Sequence, residues 1–178
     1  LTGVGVTYVI LSIGIAGLLW RRKGAILPNT TLHPNLSAIQ IFLIGLIGIL
    51  IAAVFERAIY MPPYVWDSLA IWGLKGKLIA ATGNLALLAQ TAHPFYPLNI
   101  PLQLTFLYWL GENYLQIIFP VYLLSLALVV SANLQRIVGT TLALACSLFL
   151  VVTPIAQYQA TIAYANLPFG FYYVASAI

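Results

Sequence analysis

The sequence predicts an all-α protein, a polytopic bundle of transmembrane helices with interfacial helices in its first outer loop, and three observations carry that prediction. Hydrophobic side chains make up 62% of the residues and charged ones 6%, which leaves too little polar surface to clothe a water-soluble domain of this length. The apolar residues fall in runs close to the length that crosses a bilayer core of roughly 30 Å as a helix. The polar residues that remain are gathered: the stretch from Tyr60 to Pro101 holds the only Asp, two of the seven basic residues, one of the two His and half of the ten prolines.

In chain order, the first span is expected at about 4–20, ending at Trp20 and the cluster Arg21-Arg22-Lys23. An interfacial aromatic followed by basic residues places that end in the cytoplasm. The same cluster accounts for much of the net charge of +4, so the basic balance is a topology signal and nucleic acid is not an expected partner. The loop of 24–35 carries turn residues, and His33 in it reads as an ordinary loop residue. A second span follows at 37–55, with Ser37 as N-cap and Gln40 as its polar interruption. It delivers Glu56 and Arg57 to the outer face, as a salt-paired helix end or with Glu56 as a second acid.

Residues 56–113 then form an outer loop. Pro62-Pro63 stop the second span, because neither can donate a backbone hydrogen bond. Helical periodicity resumes from Trp66 to Ala81, with Asp67, Ile71 and Lys75 four apart on one face. So apolar a helix belongs in the membrane interface. Thr82-Gly83-Asn84 break it, and Leu85–Ala92 leads into His93-Pro94-Phe95-Tyr96-Pro97. The run Leu98–Leu110 has 13 residues, about 20 Å as a helix, and reads as juxtamembrane or re-entrant. Further spans are expected at 114–132, with Pro120 as a kink, at 137–155, and from 169–178 onward. Arg136 between the first two marks a cytoplasmic loop, and 157–168 returns to the outer side. The lone Cys146 reads as an inert buried thiol. The whole of 1–178 reads as a single transmembrane domain, part of a longer chain.

With this layout in place, the ordered set Trp66-Asp67-Ser68-Leu69-Ala70-Ile71-Trp72-Gly73-Leu74-Lys75-Gly76-Lys77, His93-Pro94-Phe95-Tyr96-Pro97-Leu98, Gly111-Glu112-Asn113, Pro120 and Tyr164-Ala165-Asn166-Leu167-Pro168 resembles the first outer loop and following segments of GT-C fold polytopic membrane glycosyltransferases. The group includes transferases of the protein mannosyltransferase and aminoarabinose transferase kind. The resemblance covers about residues 37–178. It implies transfer of a sugar from a polyprenyl-phosphate donor to an acceptor glycan, lipid or protein on the extracytoplasmic face of a bacterial inner membrane. It implies a catalytic Asp67, which deprotonates or orients the acceptor or helps to hold a divalent cation. Phe95 and Asn166 stand where similar sequences often carry Asp.

The residues themselves place Asp67 at an interface where a lipid-borne donor and a water-borne acceptor can meet. Lys75 and Lys77 are candidate phosphate contacts, His93 a candidate to orient a phosphate or ligate a metal, and Tyr96 a neighbour in the same segment. Each has a plainer alternative. Asp67 also fits a helix cap, the lysines fit lipid-headgroup anchors, His93-Pro94 fits a turn, and Trp66, Trp72, Tyr96, Tyr108 and Trp109 fit an aromatic belt. Two other functions compete. A transporter or flippase predicts ionisable residues inside spans, which these spans lack; a membrane scaffold predicts nothing special of Asp67.

Overall fold

The structure, a computed structural model, describes residues 36–111 and 115–177. All regular structure among these residues is helical. From Ser37 onward they belong to one compact unit. The expected span at 4–20, the basic cluster at 21–23, His33, and Glu112 and Asn113 of the expected turn lie outside the described residues.

Helix α1 (Ala38–Tyr60) opens with a reciprocal cap. The Ser37 hydroxyl accepts the Gln40 N–H at 3.4 Å, and the Gln40 side chain accepts the Ser37 N–H at 3.0 Å, so two otherwise orphaned donors are satisfied. Gln40 also donates to the Thr141 hydroxyl at 3.1 Å, which is why one amide is kept in an apolar helix. The helix continues past the expected end at Phe55, because Glu56 and Arg57 are good helix formers and only Pro62-Pro63 stop it. Both lie exposed, and Arg57 turns to the Met61 sulfur at 3.1 Å.

A helix resumes at Trp66, widens into a π segment over Ser68–Gly73 and continues as α2 (Leu74–Thr82). The Leu74 N–H bonds the Leu69 carbonyl, the five-residue step of a π turn. Gly73 is what permits it: a Cβ there would lie 2.5 Å from the Ser68 carbonyl oxygen. Gly83, at φ 63°, ends α2 in the left-handed region. A 3₁₀ turn (Leu85–Gln90) follows, capped by the Asn84 side chain. Then come α3 (Asn99–Leu110), α4 (Ile118–Val138), α5 (Thr140–Val152), α6 (Pro154–Gln159) and α7 (Asn166–Ser176).

Four prolines mark helix starts. Pro101, Pro120, Pro154 and Pro168 each lie in the first turn of α3, α4, α6 and α7, where the missing N–H costs nothing. Pro120 is thus no mid-span kink, and the expected 114–132 span becomes α4, shifted to 118–138. Asn133, Gln135 and Arg136 are its last helical turns. The expected 137–155 span is α5, only 13 residues or about 20 Å long, followed after Thr153 by the short α6. The expected 169–178 span is α7, which starts at Asn166. Among the described residues, α1 and α4 are long and apolar enough to cross a membrane.

α4 is the central helix, packed on α1, α5, α6 and α7. Their core joins Ile51 and Val54, Leu123, Leu126 and Ala127, Val151, Ala160 and Leu167. A second core, Ile71, Trp72, Ile100, Leu104, Leu107, Leu115, Phe119 and Ala163, joins the π segment and α3 to the foot of α4. Gln40 beside Thr141 puts the starts of α1 and α5 on one side. Gln116, donating to the Met61 carbonyl at 2.8 Å, puts the end of α1 beside the start of α4 on the other. Cys146 is exposed, not buried as expected, because it sits on a face of α5 that no described helix covers.

α2 and α3 meet at Gly76. The Thr105 hydroxyl bonds the Gly76 carbonyl at 3.1 Å, and a Cβ on Gly76 would lie 2.9 Å from the Leu104 Cβ and 3.1 Å from the Pro101 carbonyl. Gly76→Ala is therefore expected to cost about 1–3 kcal/mol by overpacking. Gly48→Ala, with nothing within 4 Å of its new methyl, is expected to be neutral or to gain up to about 1 kcal/mol of helix propensity. Unfolding midpoints in detergent separate the two, and an undisturbed Gly76→Ala protein would contradict the packing described.

Candidate functional site

Asp67 sits in the first turn after Trp66 and is half-buried. Its side chain makes no capping bond, so the helix-cap role does not describe it. It is met by Tyr164, from the segment between α6 and α7. Burial first, then a hydrogen bond to Asp67 and the carboxylate's charge, push the Tyr164 pKa above its ordinary 10.0. The hydroxyl donates and the carboxylate accepts. The docking has a packing basis as well: Ala163 is buried in one cluster with Ile71 and Trp72, and the Tyr164 N–H bonds the Ile162 carbonyl at 2.9 Å, a tight bend that turns the tyrosine out.

Asp67 is half-buried and Ile71 and Lys75 are buried, so the three lie on the packed side of this helix. Trp72 is one wall of a partly open cavity of about 430 Å³, lined also by Tyr96, Pro97, Asn99, Ile100, Ala165, Asn166, Pro168, Phe169 and Tyr172. The lining is mostly apolar, with the polar groups of Asn99, Asn166, Tyr96 and Tyr172 among it. That is the usual composition of a small-molecule site.

Behind the cavity runs a polar ladder. Gln103 on α3 donates to Asn99 and, at 2.7 Å, to the Tyr122 hydroxyl of α4, which lies 2.8 Å from the Tyr172 hydroxyl of α7. Three helices are thereby joined at the cavity wall.

Lys75 is not a surface phosphate contact. It is wholly buried, at 0% exposure. Its ammonium donates to the His93 carbonyl at 2.5 Å and stands 5.5 Å from the Tyr96 ring centre. Lys77 is exposed, with its ammonium 6.0 Å over the Tyr108 ring. His93 is exposed at φ 51°, and its ring stacks on Tyr96 at 4.7 Å. Tyr96 stacks in turn on Trp72 at 5.5 Å. Phe95 is 80% exposed and edges onto both His93 and Tyr96. Glu56 lies exposed near the end of α1.

No group of three His, Cys, Asp or Glu able to hold a metal occurs among the described residues, so these residues do not by themselves supply the divalent-cation site considered above. Trp72 and Tyr96 belong to the buried stack rather than to a belt, while Trp66 is 76% exposed. Three features escaped the sequence reading: Tyr164 as the partner of Asp67, the ladder of Asn99, Gln103, Tyr122 and Tyr172, and the buried Gln116. In a chain this apolar, an amide within an apolar segment is itself the signal, since an unpaired one is costly there.

Against family models, curated proteins and solved structures, the chain has no match.

Burial lowers the Lys75 pKa from 10.5. Between that lowered value and 10.5 the unfolded chain binds the proton that the folded one releases, so this group's contribution to stability rises with pH through the window. Below the window both states are protonated and the cost of the buried charge is complete. Tyr164 acts in the opposite sense, but only above 10.0. From about pH 8 to about pH 10, the unfolding midpoint of the wild type is therefore expected to gain on that of Lys75→Met. A difference that stays flat with pH would contradict it.

Proposed function

We propose that the chain is part of a membrane glycosyltransferase of the GT-C kind, which moves a sugar from a polyprenyl-phosphate carrier to an acceptor on the extracytoplasmic face. The observation that carries this reading is the meeting of Asp67 and Tyr164, from two segments distant in sequence, whose near neighbours in sequence, Trp72 and Ala165, line an apolar cavity. A carboxylate that is neither a cap nor fully exposed, held by a partner from a distant segment, is an arrangement that a scaffold does not need.

Asp67 accepts the proton of the acceptor hydroxyl as its oxygen attacks the anomeric carbon. The bond from that carbon to the phosphate oxygen breaks, polyprenyl phosphate leaves, and the configuration inverts. Tyr164 orients the carboxylate by its hydrogen bond and leaves the second oxygen for the acceptor. The cavity takes the apolar part of the donor that adjoins the phosphate, and the exposed Lys77 offers positive charge on the same loop. The membrane setting is supported by the exposure of α1, where Ile41, Phe42 and Ile49 are 58%, 65% and 68% exposed. Such a surface on so apolar a helix calls for lipid or further helices to cover it. A multi-pass protein of the bacterial inner membrane, active on its outer side, fits that surface.

Asp67→Asn in the full-length protein is expected to lower transfer from a polyprenyl-phosphate sugar by about 10³-fold or more, as for loss of a general base, with expression unchanged. Transfer at the wild-type rate would end the catalytic reading. For sidedness, Phe95→Cys in a Cys146→Ser background is expected to react with an impermeant thiol reagent from the outside of intact cells. Labelling only after the cells are opened would reverse the orientation.

A further inference from the structure

We infer that Lys75 is a positioning residue: its buried ammonium holds the His93–Pro97 turn in place as a wall of the cavity, and so sets how tightly the cavity takes its ligand. The structural part rests on geometry alone. The consequence for the ligand rests on the proposed transferase reading.

Besides Lys75, the turn is held by the Tyr96 ring, which packs on the second core. His93, Pro94 and Phe95 are exposed, and the 91–97 segment has no helix of its own. His93 adopts φ 51°, a left-handed region uncommon for residues with a Cβ, though histidine enters it more readily than most. Two donors converge on its carbonyl, the Lys75 ammonium at 2.5 Å and the Tyr96 N–H at 3.1 Å. The first comes from the core and the second closes the turn on itself. The same ammonium faces the Tyr96 ring, which lies between Trp72 and His93 in a three-ring stack. Tyr96 and Pro97 line the cavity together with Ala165 and Pro168.

Lysine suits this task because its long stem lets a residue whose backbone belongs to α2 reach the His93 carbonyl with a donor while the side chain stays buried. A charged donor makes a stronger bond to a carbonyl than a neutral one. The turn is therefore fixed from within the protein rather than from its surface, which leaves the outer side of His93 and Phe95 open.

The test uses the full-length protein in detergent or nanodiscs, comparing wild type, Lys75→Met and Lys75→Gln by hydrogen exchange and by transfer from a short-chain polyprenyl-phosphate sugar. Methionine keeps the bulk and removes the donor; glutamine keeps a donor that is too short to reach the carbonyl, and serves if the methionine variant does not fold. In either variant, exchange over residues 91–97 is expected to rise by about tenfold or more, with residues 118–138 unchanged. KM for the donor is expected to rise by about tenfold with kcat within about twofold. Unchanged exchange at 91–97, or an equal rise at 118–138, would overturn the positioning role. A localised rise in exchange with KM unchanged would overturn the link to the ligand. If the wild type transfers no sugar at all, the transferase reading fails, while the exchange comparison still decides the role of Lys75.

Discussion

The layer of the π segment, α2, α3 and the 93–97 turn depends on the accommodation of one buried ammonium. Removing a charge of that size from water costs on the order of several kcal/mol in a real protein, and Lys75 meets that cost with one carbonyl and one aromatic face. Both belong to the turn of residues 93–97. The positions of His93 and Tyr96 are therefore tied to where the ammonium lies, and Tyr96 carries that tie to the cavity wall, where it stacks on Trp72 of the second core. Next to it in sequence, Gly76 lets α2 and α3 approach closely, with the Thr105 hydroxyl on its carbonyl.

The helices were legible in the sequence as helices, and their ends less so. Apolar runs announce α1 and α4, and the Ser37–Gln40 pair announces the cap of α1. The errors share a cause: polar residues were taken as the ends of spans. Glu56, Arg57, Asn133 and Arg136 are all helical, since a charged residue can continue a helix; α1 runs on until the proline pair at 62–63 and α2 until the left-handed Gly83. The prolines were the better guide to starts, and Pro120 was misread because its place in a helix depends on a boundary that hydropathy alone does not mark. The π segment was invisible, because its signal is a contact of Gly73 with the Ser68 carbonyl that exists only once the turn is formed.

At the candidate site the sequence pointed to Asp67 and to the His93–Pro97 segment but misjudged how they are held. Lys75 was read as a phosphate contact or a lipid-headgroup anchor, although its place on one face with Asp67 and Ile71 already set it apart from Lys77. The groups that receive its ammonium, the His93 carbonyl and the Tyr96 ring, come from a segment remote in sequence. Tyr164 could not be matched to Asp67 for the same reason: the two are joined through the packing of Ala163 on Ile71 and Trp72. The pairing of a loop tyrosine with a loop carboxylate is a tertiary fact, and its only trace in sequence is that both occur in segments expected on the same side.

The two cores are coupled by polar groups rather than by shared apolar contacts alone. Asn99 and Gln103 belong to α3, in the layer that carries the cavity wall, while Tyr122 and Tyr172 belong to α4 and α7 of the bundle. In surroundings this apolar, such bonds are electrostatically stronger than in water, and an unpaired member is costly. Sliding α3 against α4 would break the Gln103–Tyr122 bond with little water at hand to replace it. The ladder thus fixes the register of α3 on the bundle, and the cavity lies beside it. Asn99 and Tyr172, the two ends of the ladder, also line the cavity. A ligand entering there touches the groups that hold the two layers together, so its binding and the stability of that register are linked by the same side chains.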